Sequence, residues 1–175
     1  MNLQDLNYRL KEMNQIQYPE IKDINPDYQF GRLLYNSYAG NKSELTTILT
    51  YEFQDLTNSD KEELSICLSS IAMQEMKHLK LLGKILVCLG LQPYYMSTYG
   101  KRWCSDNVKS NYNSLQELLD FNIQSEKDAI EEYKRLIDIS DCDNIQQVLA
   151  RIIMDEENHV QIFEMLKKEY CDMKT

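Results

Sequence analysis

At 175 residues the chain is the size of one domain with a sizeable core. Five Gly and three Pro, with 27% charged and 43% hydrophobic residues, point to a mostly helical soluble protein, and a formal charge of −9 argues against nucleic acid as its main partner. No run of about 18 apolar residues occurs, and the first residues lack a basic region followed by an apolar run, so neither a membrane span nor a secretory signal is expected.

Residues 1–26 read as a polar arm with Pro19 and Pro26 as breakers, in which Leu3, Leu6, Leu10 and Met13 have the spacing of a short amphipathic helix. The bundle domain is expected over 27–175. Its first helix runs from Asp27 to about Leu56, with Gly40-Asn41 a plausible interruption, because Asn41 and Glu44 can form a fresh N-terminal cap. Leu45, Ile48, Tyr51 and Asp55 make its inward stripe, and Glu44 stands one turn before Ile48. A second helix is expected over 60–89, opened by the capping box Ser59-Asp60-Lys61-Glu62 and stopped by Gly90. Leu64, Cys67, Leu68, Ile71, Glu75, His78, Leu82, Ile85 and Leu89 recur along it at three- and four-residue spacing.

Residues 91–113 have no helical period. A helix of about 30 residues is about 45 Å long, and the 23 residues of this segment can span it at ~3.3 Å each. The segment is therefore read as a long crossover, with Tyr94, Tyr95, Tyr99 and Trp103 covering one side of the bundle. Ser114-Leu115-Gln116-Glu117, a second capping box, opens a third helix over 115–139, and Asp143 caps a fourth over 144–170. The third carries Leu115, Leu118, Leu119, Asn122, Glu126, Ala129, Ile130, Tyr133, Leu136 and Ile137 inward. The fourth carries Ile145, Val148, Leu149, Ile152, Glu156, His159, Ile162, Phe163 and Leu166. The fold class is all-α: a four-helix bundle of two antiparallel hairpins joined by the crossover.

The chemistry lies in the stripes. The chain has only two histidines, His78 and His159, and each follows a glutamate by three residues, Glu75 and Glu156. Residues three apart share a helix face, so each pair can offer a carboxylate oxygen and an imidazole nitrogen to one ion. Two such pairs, with one further Glu from each of the other two helices, enclose a dinuclear site in ferritin-like bundles. The two halves of the chain repeat: Glu44 and Glu126 are 82 apart, as are Tyr51 and Tyr133, while Glu75 and Glu156, like His78 and His159, are 81 apart.

Height along the hairpin selects among the fifteen glutamates. Residues level with each other in an antiparallel hairpin are equidistant from its turn. The midpoint of Glu44 and Glu75 is 59.5 and that of Glu126 and Glu156 is 141, both inside predicted turns. Pairing Glu52 with Glu75 would put the turn at 63.5, inside a helix. Glu131 lies roughly 140° around its helix from Glu126 and faces elsewhere. Four glutamates and two neutral imidazoles carry −4, which two divalent ions neutralise, and this donor set suits iron or manganese better than a thiolate-preferring metal. Tyr51 and Tyr133 can donate to a ligating carboxylate on another helix, or serve simply as amphipathic core tyrosines. Asp155 is placed to orient an imidazole through its second nitrogen; Gln74 holds the matching position, so the two ions would differ in their surroundings. The five cysteines form no Cys-x-x-Cys pair, so no rubredoxin-type or four-Cys zinc site is expected, and the odd count fits reduced thiols in a cytoplasm.

Tyr38-Ala39-Gly40-x3-Glu44-x6-Tyr51, Glu75-x-x-His78, Glu126-x6-Tyr133 and Glu156-x-x-His159 together make residues 28–170 resemble the ferritin-like superfamily, and within it the erythrin domain of rubrerythrins and the small manganese-catalase-like proteins. The resemblance implies two iron or manganese ions per chain, held by Glu44, Glu75, His78, Glu126, Glu156 and His159 with Glu75 and Glu156 bridging. It implies an oxidoreductase acting on hydrogen peroxide or dioxygen, with an external electron donor for a peroxidase, in a homo-oligomer. The alternatives are iron or manganese storage, or a metal-stabilised component of a larger assembly. Rubrerythrins carry a further helix-three glutamate where this chain has Ala129, and a rubredoxin domain that is absent here. Both departures favour a catalase-like or metal-handling role over a rubrerythrin-type peroxidase cycle.

Overall fold

The computed structural model describes Arg9 and residues 16–172. The amphipathic spacing of Leu3, Leu6, Leu10 and Met13 lies outside the described residues. Described elements are helical: α1 (Tyr28–Ala39), α2 (Glu44–Thr57), α3 (Glu62–Cys88), a 3₁₀ turn (Ser105–Asn107), α4 (Leu115–Ile139) and α5 (Asp143–Lys167), ending in a π-turn (Lys168–Asp172). One isolated antiparallel bridge, Met96 to Arg102, lies in the crossover. The fold is a ferritin-like four-helix bundle, with α1 and α2 together occupying the first helix position.

The first helix does break at Gly40, whose backbone turns extended and whose N–H closes on the Asn36 carbonyl at 3.0 Å. A Cβ there would stand 2.6 Å from that carbonyl oxygen, so the break takes glycine. The new N-terminus is capped by Ser43 rather than Asn41: the Ser43 hydroxyl accepts from the Thr46 N–H at 3.3 Å. Two other expected caps also differ. Ser59-Asp60 makes no capping box, because the chain turns tightly through Asn58–Lys61 and Lys61 stands at the cap without a side-chain bond. Asp143 is the first residue of α5 rather than its cap, and Cys142 stands before it. Ser114 does cap α4, while Glu117 reaches past it to the Asn113 N–H at 2.9 Å. Gly90, with φ +85°, ends α3 as expected: its N–H bonds the Val87 carbonyl and the Leu91 N–H bonds that of Leu86, the paired closure a left-handed glycine allows.

The crossover is pinned to the first hairpin. Tyr35 donates to the Gln92 carbonyl at 2.5 Å, Tyr38 to that of Pro93 at 3.3 Å, and the Trp103 indole to the Thr46 hydroxyl at 2.9 Å. The expectation that its aromatics cover the bundle needs correction. Only Trp103 is half-buried, while Tyr94, Tyr95 and Tyr99 are exposed.

The apolar core is in two parts. Leu64, Leu68 and Ile71 of α3 pack with Ile162, Phe163 and Leu166 of α5. Leu79, Leu82 and Leu86 of α3 pack with Val148, Leu149 and Ile152 of α5. Glu75 and His78, and opposite them Glu156 and His159, fall between the two. Each fully buried aliphatic side chain contributes about 1.5–3 kcal/mol, so two apolar layers hold a polar one between them.

Candidate metal centre

Four helices each bring one carboxylate into that middle layer. Glu44 is the first residue of α2, Glu75 and His78 are at the middle of the long helix α3, Glu126 is on α4, and Glu156 and His159 are on α5; all six are buried. Glu52 is exposed, and so is Glu131. The six form two overlapping groups, Glu44, Glu75, His78 and Glu156, and Glu75, Glu126, Glu156 and His159, each with one ligand atom per residue within 4.8 Å of the others. Glu75 and Glu156 belong to both.

The geometry follows the internal repeat. His78 Nδ1 stands 3.1 Å from Glu75, 3.2 Å from Glu156 and 3.7 Å from Glu44. His159 Nδ1 stands 2.8 Å from Glu156, 2.9 Å from Glu75 and 3.7 Å from Glu126. Each ring thus faces both shared carboxylates and the single glutamate of its own half, and the ring centroids are 6.1 Å apart. The two tyrosines cross between halves: Tyr51 of α2 donates to Glu126 of α4, and Tyr133 of α4 donates to Glu44 of α2.

Asp155 orients an imidazole, but that of the opposite hairpin: its Oδ2 lies 3.2 Å from His78 Nε2. The reason is the packing of α5 across α3, which a reading of one helix at a time does not reveal. Three residues around the centre escaped the sequence. Tyr18, in the arm, donates to Asp155 at 2.7 Å. Arg151 pairs with Asp155 at 2.7 Å from one turn earlier on α5, an i,i+4 spacing that was a usable signal. Gln54 exchanges amide hydrogen bonds of 2.9 and 2.7 Å with Asn122 on the other side of the layer.

Four carboxylates this close in a dry layer share protons unequally. Burial, then the Glu75 charge, pushes Glu44 well above the usual carboxylate range. Burial, with Glu75 and Glu156, pushes Glu126 up to about 8. Burial opposes ionisation of Glu75 too, but the Glu44 hydrogen bond and both imidazoles outweigh it and hold Glu75 well below that range. Both imidazoles are raised well above theirs, because the surrounding carboxylates overcome the cost of burial. Without cations, protons balance the charge.

The residues fit a pair of divalent ions. His159 Nε2 is buried and makes no hydrogen bond, and Glu75 Oε1 and Glu156 Oε1, oxygens of the shared carboxylates, are buried with only the imidazole Nδ1 atoms of His159 and His78 near them, at 2.9 and 3.2 Å. Buried polar atoms are otherwise nearly always satisfied. Hard oxygen donors with one imidazole per group can hold iron or manganese. Among the described residues Cys67, Cys88, Cys104 and Cys142 form no disulfide, and no helix is long and apolar enough to cross a membrane.

Comparison with known proteins agrees with the fold. The rubrerythrin family model matches residues 34–167. KatB, a manganese catalase from Anabaena, has a similar fold, with a TM-score of 0.80, 21% identity, and coverage of 91% of this chain and 79% of that one. Mycobacterium tuberculosis bacterioferritin BfrA follows at a TM-score of 0.68 and 22% identity, covering 85% of this chain and 90% of its own. The Desulfovibrio desulfuricans bacterioferritin has a TM-score of 0.67 at 17% identity, covering 94% of this chain and 85% of its own. No curated protein matches the sequence. At these identities the likeness is one of fold.

Proposed function

This chain belongs to the rubrerythrin family, and on that premise we propose that it is a dinuclear iron or manganese oxidoreductase acting on hydrogen peroxide or dioxygen, a catalase- or peroxidase-like protein of oxidative-stress protection. The observation that carries the reading is the pair of overlapping groups sharing Glu75 and Glu156. Two ions held there would be neighbours bridged by the same carboxylates. Such a pair would supply the electrons that peroxide chemistry exchanges, each ion changing valence by one.

The chain's own groups do the rest. Glu44 and Glu126 close the two ends, and Tyr133 and Tyr51 hold them there by hydrogen bonds from the opposite hairpin. Tyr51 and Tyr133 are themselves fully enclosed, so bulk water is kept from both carboxylates. Disproportionation of two peroxide molecules to two of water and one of dioxygen balances without any other reductant. A peroxidase cycle needs an external electron donor, because no second metal-binding group occurs among the described residues. Self-association belongs to the same reading, and the exposed Leu49 and Leu56 of α2 with Ile66 and Met73 of α3 offer apolar surface for it.

The likeness in fold to a manganese catalase supports turnover; that to bacterioferritins supports iron storage, the competing reading. Peroxide consumption separates them. Reduced protein loaded with iron or manganese is expected to consume hydrogen peroxide faster than the same amount of free metal, and His78→Ala to abolish the gain. Indifference to peroxide together with hundreds of ions accumulated per particle would replace this reading with storage.

A further inference from the structure

The two ends of the centre repeat in their ligands but not in what stands behind them. Asp155, behind His78, corresponds by the 81-residue offset to Gln74, and Arg151 corresponds to Ser70. Asp155 Oδ2 is met by four donors: His78 Nε2 at 3.2 Å, Arg151 at 2.7 Å, Gln74 Nε2 at 3.0 Å and the Tyr18 hydroxyl at 2.7 Å. A carboxylate only accepts, so the His78 ring must carry its proton on Nε2. With Nε2 held protonated, an ion that displaces the Nδ1 proton finds the ring already in the tautomer it needs, and Nδ1 is the atom that faces Glu44, Glu75 and Glu156. His159 Nδ1 faces its own cluster in the same way, yet its Nε2 makes no hydrogen bond. No acceptor holds a proton on that Nε2, so presenting Nδ1 to an ion leaves a buried N–H without an acceptor.

Tyr18 is what the arm adds to this difference. Its ring stands edge-on to His78 at 6.0 Å between centroids, and the Arg151 guanidinium lies 4.6 Å over its face. Its hydroxyl donates to Asp155 and accepts from Gln74. Arg151 also donates to the Ile16 carbonyl at 2.9 Å, so the arm is tied at two points to the residues behind His78. Tyr18 precedes the repeated half-chain, and among the described residues no tyrosine hydroxyl bonds behind His159 in the same way.

We infer that Tyr18 is a positioning residue of the metal centre: with Arg151 and Gln74 it fixes Asp155 on His78, and so makes the His78 end hold its ion more tightly than the His159 end. The inference rests on the dinuclear reading above. Outer partners of ligating imidazoles are worth about 10- to 100-fold in metal affinity, so one end having such a partner and the other lacking it should separate the two binding steps by about tenfold or more.

The test is calorimetric titration of the metal-free full chain with Mn²⁺, with electron paramagnetic resonance spectra taken at one and at two ions per chain. Wild type is expected to bind in two resolved steps. The tight step should survive His159→Ala and be lost in His78→Ala. Tyr18→Phe keeps the ring and removes the hydroxyl; it is expected to weaken the tight step about tenfold, leave the weak step alone, and alter the one-ion spectrum. Tyr112→Phe, which removes a hydroxyl bonded to Gln54 on the other side of the polar layer, should change neither step. Two equal or merged steps in wild type would overturn the inference, as would Tyr18→Phe shifting both steps alike or neither, or Tyr112→Phe reproducing its effect. Each of these leaves the dinuclear reading standing; fewer than two ions in wild type would remove both.

Discussion

Replacing Glu44 by glutamine separates a metal ligand from a merely buried acid. Glu44 is 4% exposed, accepts from Tyr133, and lies 3.7 Å from His78 Nδ1. The amide keeps an oxygen for Tyr133 and nearly the same volume, and it removes the charge. In the metal-free protein burial and the Glu75 charge already favour the protonated, neutral acid, so Glu44→Gln should melt close to wild type. With metal the two should part. An ion at a hundredfold excess over its Kd stabilises by RT ln(1 + [L]/Kd), ~2.7 kcal/mol. If the neutral amide costs about 100-fold in affinity, the top of the range that losing an outer partner alone reaches, the same metal concentration equals the new Kd and yields only ~0.4 kcal/mol. The difference of ~2.3 kcal/mol corresponds to about 5–9 °C in Tm for a domain of this size. Glu52→Gln, at an exposed position on the same helix, should stay within about 0.5 kcal/mol of wild type in both states. Melting curves of the three proteins with and without Mn²⁺ decide it. An equal metal-dependent rise in Tm for Glu44→Gln and wild type would show that Glu44 is not a ligand.

The metal-free protein should lose stability as pH rises. Glu126 titrates near 8 against an ordinary 4.5, so between those values the native state holds a proton the unfolded chain has released, and unfolding free energy falls with pH. The raised imidazoles act with the same sign above 6.5, whereas the depressed Glu75 acts oppositely only below 4.5. Because ions displace these protons, the gain from metal should grow over the same interval; urea midpoints from pH 5 to 8, with and without Mn²⁺, measure both, and a metal-free midpoint that climbs with pH would refute the assignment. Tyr51→Phe takes the hydrogen-bond donor from Glu126 and is expected to weaken metal binding about tenfold and slow peroxide consumption; calorimetry showing unchanged affinity would reduce Tyr51 to core packing.

Much of the centre was legible because helical hairpins convert sequence distance into height. Equal spacing from the turn put Glu44 level with Glu75 and Glu126 level with Glu156, and the structure brings all four together with both imidazoles. For Tyr51 and Tyr133 the sequence leaves open a donor to another helix or a plain core tyrosine; each is buried and reaches the glutamate of the opposite hairpin. What could not be read were contacts set by how the hairpins pack. Asp155 faces His78 because α5 lies against α3, and Gln54 finds Asn122 for the same kind of reason. Beyond Met13 the arm carries no periodicity that would place Tyr18. Caps failed at Asn41, Ser59 and Asp143 by one or two residues: Ser43 caps the first-turn N–H in place of Asn41, and at Lys61 and Cys142 the backbone path starts the helix with no side-chain cap.

The centre lies across the seam between the two hairpins. Glu44, Glu75 and His78 arrive on α2 and α3; Glu126, Glu156 and His159 arrive on α4 and α5. Each hairpin closes through a turn of a few residues and can form in microseconds from neighbouring segments, but docking one on the other must bring four carboxylates into a single dry layer. Protonation or cations must relieve that charge as the halves meet, so docking is the step whose rate should respond to them. Refolding followed by stopped flow would then show a helix-formation phase indifferent to Mn²⁺ and a later side-chain-packing phase that Mn²⁺ or mild acid accelerates. The candidate metal centre is, in this sense, also the clasp by which one half of the chain finds the other.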